Sequence, residues 1–125
     1  MLHSYDYAVI RVTPKLERGE CMNAGVVLYC RTLRYLVAHT HLDEHRLRAL
    51  DPSADVDTIR LQLALFATIA AGGADAGPIG LLPHAERFHW LVAPRSTILA
   101  AGPVHCGLCA DPPTQAVHLY QRLVT

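Results

Sequence analysis

Three stretches of this chain hold residues whose types and spacing could do chemistry. The first is His105-Cys106-Gly107-Leu108-Cys109. Two thiols separated by two residues, with a histidine beside them, could form half of a tetrahedral zinc site. Cys21, Cys30 or His105 would complete the four ligands, yet Cys21 and Cys30 lie nine residues apart around an apolar run and lack zinc-knuckle spacing. A dithiol redox centre would need its first cysteine at a helix N-terminus, where the dipole lowers the thiol pKa. The helix signal here comes only at Asp111-Pro112, after both thiols. Reduced cysteines packed as small hydrophobes fit best. Zinc on His105, Cys106 and Cys109 is the weaker alternative, and no cofactor is expected.

The second stretch is Phe88-His89-Trp90-Leu91 followed by Pro94-Arg95-Ser96-Thr97. A guanidinium fork and two hydroxyls in one turn suit a carboxylate or other anion. His89 and His105 would then serve as general acid and base. Against this, serine and threonine in turns commonly bond their own backbone. The third stretch, Arg18-Gly19-Glu20-Cys21-Met22-Asn23-Ala24-Gly25, is a polar turn that runs straight into an apolar strand. Glu20 could act as a base, but a structural ion pair with Arg11 or Arg18 is the plainer role. Gly19 and Gly25 then give backbone freedom or close approach. His39 and His41 alternate on one side of a strand without a third metal ligand in range. No phosphate-binding glycine loop, nucleophile elbow or His-Glu-x-x-His occurs.

These residues need elements to hold them. Tyr5–Val12 has strand composition with both faces largely apolar, so it reads as an interior strand ended by Thr13-Pro14. Ala24–Cys30 and Leu33–Thr40 follow as an antiparallel pair about Arg31-Thr32, which lacks the Asn-Gly chemistry of a two-residue turn. Asp43 caps a short helix to Leu50, and Asp51-Pro52 reads as the cap of the next. Val56, Ile59, Leu63, Phe66 and Ala70 keep helical spacing until Gly72-Gly73 stops it. Ala74–Pro83 reads as a loop, Phe88–Val92 and Thr97–Ala101 as strands, and Gly102–Ala110 as extended or irregular chain. Asp111-Pro112 caps a final helix striped by Ala116, Leu119, Tyr120 and Leu123. The expected class is α+β, a single domain over residues 1–125: a mainly antiparallel sheet of about five strands with two or three helices packed on one face.

Composition narrows the function classes. The chain has 125 residues, 51% of them apolar, enough for one core and against disorder. Eleven basic residues balance eleven acidic ones, so a broad phosphate footprint and nucleic-acid binding are disfavoured. The N-terminus lacks a signal-peptide pattern, and Leu61–Ala71 is too short to span a bilayer. The expected setting is a bacterial cytoplasm, with the four cysteines reduced. A sheet edge near Leu33–Val37 would support a homodimer.

Four segments carry a resemblance. They are Tyr5-x-Tyr7-x-x-Ile10-Arg11-x-x-Pro14, Arg18-Gly19-Glu20-x-x-Asn23-x-Gly25-Val26-Val27-Leu28, Phe88-x-x-Leu91 with Ser96, and Pro103-Val104-His105-x-Gly107-Leu108-x-x-Asp111-Pro112. Together they resemble the bacterial family catalogued as domain of unknown function 3037, DUF3037, over nearly the whole chain. The resemblance implies small standalone cytoplasmic proteins in the company of HipA-like kinases. It also implies that hydroxyl residues fit the places of Cys106 and Cys109. Arg11, Arg18, Glu20, Asn23, Arg95, Ser96, His105 and Asp111 are the polar residues that match its motifs, and several are expected to line one cleft. The leading expectation is a non-enzymatic binding or regulatory module for a protein partner, a HipA-like kinase being the candidate. The alternative is a small hydrolase or transferase for an anionic or phosphorylated substrate, with Arg95 holding the anion and His105 or Glu20 moving protons.

Overall fold

A segment such as Val26-Val27-Leu28 has no polar position to turn toward water, so a strand built from it must be covered on both faces. That strand is β2 (Met22–Cys30), buried at seven of its nine positions. The computed structural model describes residues 1–125 and places β2 between β1 (His3–Val12) and β3 (Tyr35–Thr40), antiparallel to both. Two helices follow, α1 (Glu44–Leu50) and α2 (Val56–Ala71), then a 3-10 turn and the single turn α3 (Gly77–Gly80). Next come α4 (His84–Val92), β4 (Leu99–Ala101), β5 (His105–Cys109) and α5 (Pro112–Leu123). The sheet runs β3-β2-β1-β4, with β5 also on β1. None of the helices is long and apolar enough to cross a membrane.

β4 and β5 are one edge strand with an interruption. Ile10 pairs with Ala101 and Tyr7 with His105, so residues 102–104 lie opposite Ala8 and Val9, one residue in excess. Pro103, which has no N–H to give, sits within that bulge. A second irregularity sits between β1 and β2, where Ile10 faces Gly25 but Arg11 faces Asn23, leaving Ala24 as the extra residue. Gly25 is required there. A Cβ on it would lie 2.9 Å from the His39 carbonyl oxygen and 3.0 Å from Ile10 Cδ1.

The α+β class and the antiparallel five-stranded sheet agree with the sequence, but the helices cover both faces rather than the one expected, because β2 is apolar on either side. Leu63 and Phe66 of α2 and Phe88 and Leu91 of α4 cover Ile10, Val12, Ala24 and Val27. Ala116 and Leu119 of α5 close over Val26, Leu28, Cys30 and Tyr5 on the other side. Each large apolar side chain buried this way, such as Leu28 or Leu91, contributes roughly 1.5–3 kcal/mol.

Several local expectations change. Phe88–Val92 is the second half of α4 rather than a strand, with Phe88 and Leu91 three apart on its buried side. Aromatic composition suggested a strand, and tertiary burial at helical spacing decided otherwise. Residues 74–80 are helical turns instead of open loop. Asp55, not Asp51, caps α2 by accepting from Thr58 N, while Asp51 closes α1 and accepts from the Ser53 hydroxyl and amide. The β2–β3 connection has four residues, Arg31 to Arg34, and Cys30 pairs with Tyr35. Lacking glycine or asparagine at the bend, it places Arg34 in left-handed space at φ +50°.

Candidate functional site

Register fixes where the motif residues fall. Val12 pairs with Met22 on one side and Leu99 on the other, and Thr13 N donates to Ile98 O at 2.7 Å. The segments carrying Arg11, Arg18, Glu20, Asn23, Arg95 and Ser96 therefore gather toward one end of the sheet. His105 pairs with Tyr7 midway along the edge, and Asp111 follows Cys109, whose partner His3 begins β1 at the other end. Arg11 lines one surface pocket and Asn23 another, and neither pocket holds a second of the eight.

Most of the eight already have partners within the fold. Arg18 is ion-paired with Glu20 on the surface, the plainer of the two roles foreseen for Glu20. Asn23 Nδ2 donates to Leu123 O at 3.0 Å and ties the C-terminal helix to β2. Arg95 lies over the Trp90 ring at 4.2 Å, donates to the Trp90 carbonyl, and has its pKa lowered by burial. Ser96 is exposed, and Thr97 Oγ1 donates to Leu99 O at 2.7 Å. Asp111 occupies the N-cap position of α5, where its carboxylate accepts from the Thr114 hydroxyl and from no backbone amide. His105 is exposed beside the Tyr7 ring, 5.3 Å between centroids.

Cys106 and Cys109 lie three apart on β5, so alternation sends their side chains to opposite faces. Cys109 is buried beneath α5, whereas Cys106 is exposed and donates to Asp6 Oδ1 at 3.0 Å. That hydrogen bond and the Asp6 charge raise the Cys106 pKa, and burial raises that of Cys109. Both shifts favour the thiol over the thiolate that attacks disulfides or binds metal.

A different set of residues converges at the opposite end of the sheet. Tyr29, Arg31 and Arg34 meet Pro83, His84 and Ala85 around a pocket of about 510 Å3. The four-residue turn brings the two arginines to the start of α4. Stacking of Tyr29 on Phe88, with centroids 5.2 Å apart, fixes that helix against β2. No acidic residue lines the pocket, and the chain's four ion pairs involve neither Arg31 nor Arg34.

A third guanidinium adds to this positive field. Arg87 is 7% exposed and has no carboxylate partner. Its terminal nitrogens donate to Leu82 O at 2.9 Å and Ala70 O at 3.2 Å, and Nε is buried without a partner. The Ala70 contact sets a cation against the negative end of α2. Gly72 leaves room for it, since a Cβ there would lie 2.9 Å from the guanidinium carbon. Burial lowers the His84 pKa, and the charges of Arg87 and Arg34 lower it further. Such a pocket can neutralise and orient an anion, because guanidinium forks match the oxygens of carboxylates and phosphates. The turn arginines carried no motif signal. Reading α4 as a strand also hid the proximity of His84.

The site and its antiparallel sheet with helices on both faces define an α+β protein with a cationic pocket at one sheet end. A family model described as protein of unknown function (DUF3037) matches residues 7–124, and the chain belongs to that family. No curated protein and no solved structure matches the chain.

Proposed function

We propose that this chain is a non-catalytic binding module that engages a protein partner by holding one of its anionic groups between Arg31, Arg34 and His84. One observation carries the reading: two arginines outside any ion pair share a pocket with a histidine, and no lining residue is acidic. Arg34 adds to it. An arginine at φ +50° occupies a position where glycine would be less strained, a cost of about 1 kcal/mol consistent with a side chain kept for binding. Arg18, Asn23 and Arg95 are already engaged in contacts within the fold. The partner class put forward is a HipA-like kinase, and the setting is a reducing cytoplasm, in keeping with four free thiols.

The experiment is capture from native-host lysate with the tagged wild type and the Arg31→Ala/Arg34→Ala variant side by side. The wild type is expected to recover one stoichiometric partner that the folded variant loses. Equal recovery by both would contradict the assignment of the pocket. Turnover by the pure protein that Arg95→Ala or His105→Ala abolished, with the fold intact, would contradict the non-catalytic reading.

A further inference from the structure

We infer that the pocket formed by Tyr29, Arg31, Arg34, Pro83 and His84 is a receptor for a phosphorylated side chain, with the two guanidinium groups on the phosphate and Tyr29 and Pro83 beside the chain that carries it. This rests on the reading that the pocket holds an anion of a partner. Charge is the first argument. A carboxylate supplies one negative charge, whereas a phosphate monoester supplies about −1.5 to −2 at neutral pH and three acceptor oxygens. Arg31 and Arg34 are two permanent cations, and the buried Arg87 adds a third whose charge already acts on His84. A dianion matches the two lining arginines, while a carboxylate leaves one unanswered.

Hydrogen-bond chemistry is the second argument. Burial, and after it the charges of Arg87 and Arg34, favour the neutral form of His84. A neutral imidazole keeps one N–H, which can donate to an oxygen of the phosphate dianion. Space is the third. The pocket's volume of about 510 Å3 exceeds what a bare phosphate needs and falls within the roughly 300–1,000 Å3 of ligand sites. Tyr29 and Pro83 give the surplus a partly apolar wall. The unstrapped amides of the first turn of α4 lie at the same place, since Pro83 offers no side-chain cap.

The test is a backbone-amide NMR titration of the isotope-labelled full chain with N-acetylphosphoserine amide, N-acetylglutamate amide and inorganic phosphate. The expected result is that signals of Arg31, Arg34 and His84 move with phosphoserine amide. Its affinity should be at least tenfold above that of the glutamate compound and above that of inorganic phosphate, and both Arg31→Ala and Arg34→Gly should lose it. Equal affinity for phosphoserine and glutamate amides would overturn the phosphate assignment and leave the partner reading intact. Inorganic phosphate binding as tightly as phosphoserine amide would overturn the side-chain assignment. No movement with any of the three would overturn the inference, and partner capture lost in the double variant would still uphold the broader reading.

Discussion

Arg34 combines a strained backbone with a pocket-lining side chain. Its backbone sits in left-handed space while its side chain lines the pocket. Arg34→Gly relieves the first and removes the second. Thermal or denaturant unfolding should find the variant between unchanged and about 1 kcal/mol more stable, because relief of strain is partly offset by the greater freedom of glycine in the unfolded chain. His84 gives a pH signature. Its pKa is lowered in the fold, so below about pH 6.5 the unfolded chain takes up this proton more readily than the native one. Its contribution to stability is therefore present above that pH and lost as pH falls. His84→Gln should show a smaller loss of melting temperature than wild type between pH 7.5 and 5.5, and equal losses would contradict the environment described here. Asp43 as a cap and Asp111 as the residue at an N-cap position were legible, because helix starts are local chemistry. The bond of Asn23 to Leu123 was not, because it joins segments 100 residues apart, and that of Arg95 to Trp90 was not, because it depends on Trp90 lying in a helix where composition reads as a strand.

At the scale of elements, α4 marks the main limit of the sequence. Phe88-His89-Trp90-Leu91 has aromatic strand composition, yet Phe88 and Leu91 meet the sheet at helical spacing. Short apolar runs permit both readings, and packing selects one. The long stripe of α2 left no such ambiguity, since Val56, Ile59, Leu63, Phe66 and Ala70 are all buried. Gly25 was visible as a position of close approach, and its neighbours show why. Gly25→Ala should destabilise by about 1–3 kcal/mol in denaturant unfolding, as its methyl would press on the His39 carbonyl between paired strands. Arg87 joins α4 to α2 through the Ala70 carbonyl and to the turn before α4 through the Leu82 carbonyl. Arg87→Leu should cost about 1–3 kcal/mol by leaving buried acceptors without their donor, and unchanged stability would remove it as a clamp.

Across the whole molecule, a net charge of zero hides an uneven distribution. The ion pairs Arg18–Glu20, Arg46–Asp43, Arg48–Glu44 and Arg60–Asp57 are local neighbours in sequence. Arg31, Arg34 and Arg87 lie outside them, on or behind one pocket, which composition alone could not reveal. The sheet explains the arrangement. A central strand apolar on both faces requires helices on both sides, and stacking α4 over Tyr29 brings its first turn to the β2–β3 bend. Fold class was therefore readable from strand and helix patterning. The pocket was not, since it depends on which end of the sheet each connection occupies. The most direct test of the central claim is the affinity of the captured partner for wild type and for Arg34→Gly, measured by calorimetry at equal salt. The predicted result is binding at least tenfold weaker, about 1.4 kcal/mol, in a variant no less stable than wild type. Equal affinity would contradict the pocket as the place where this protein holds its partner.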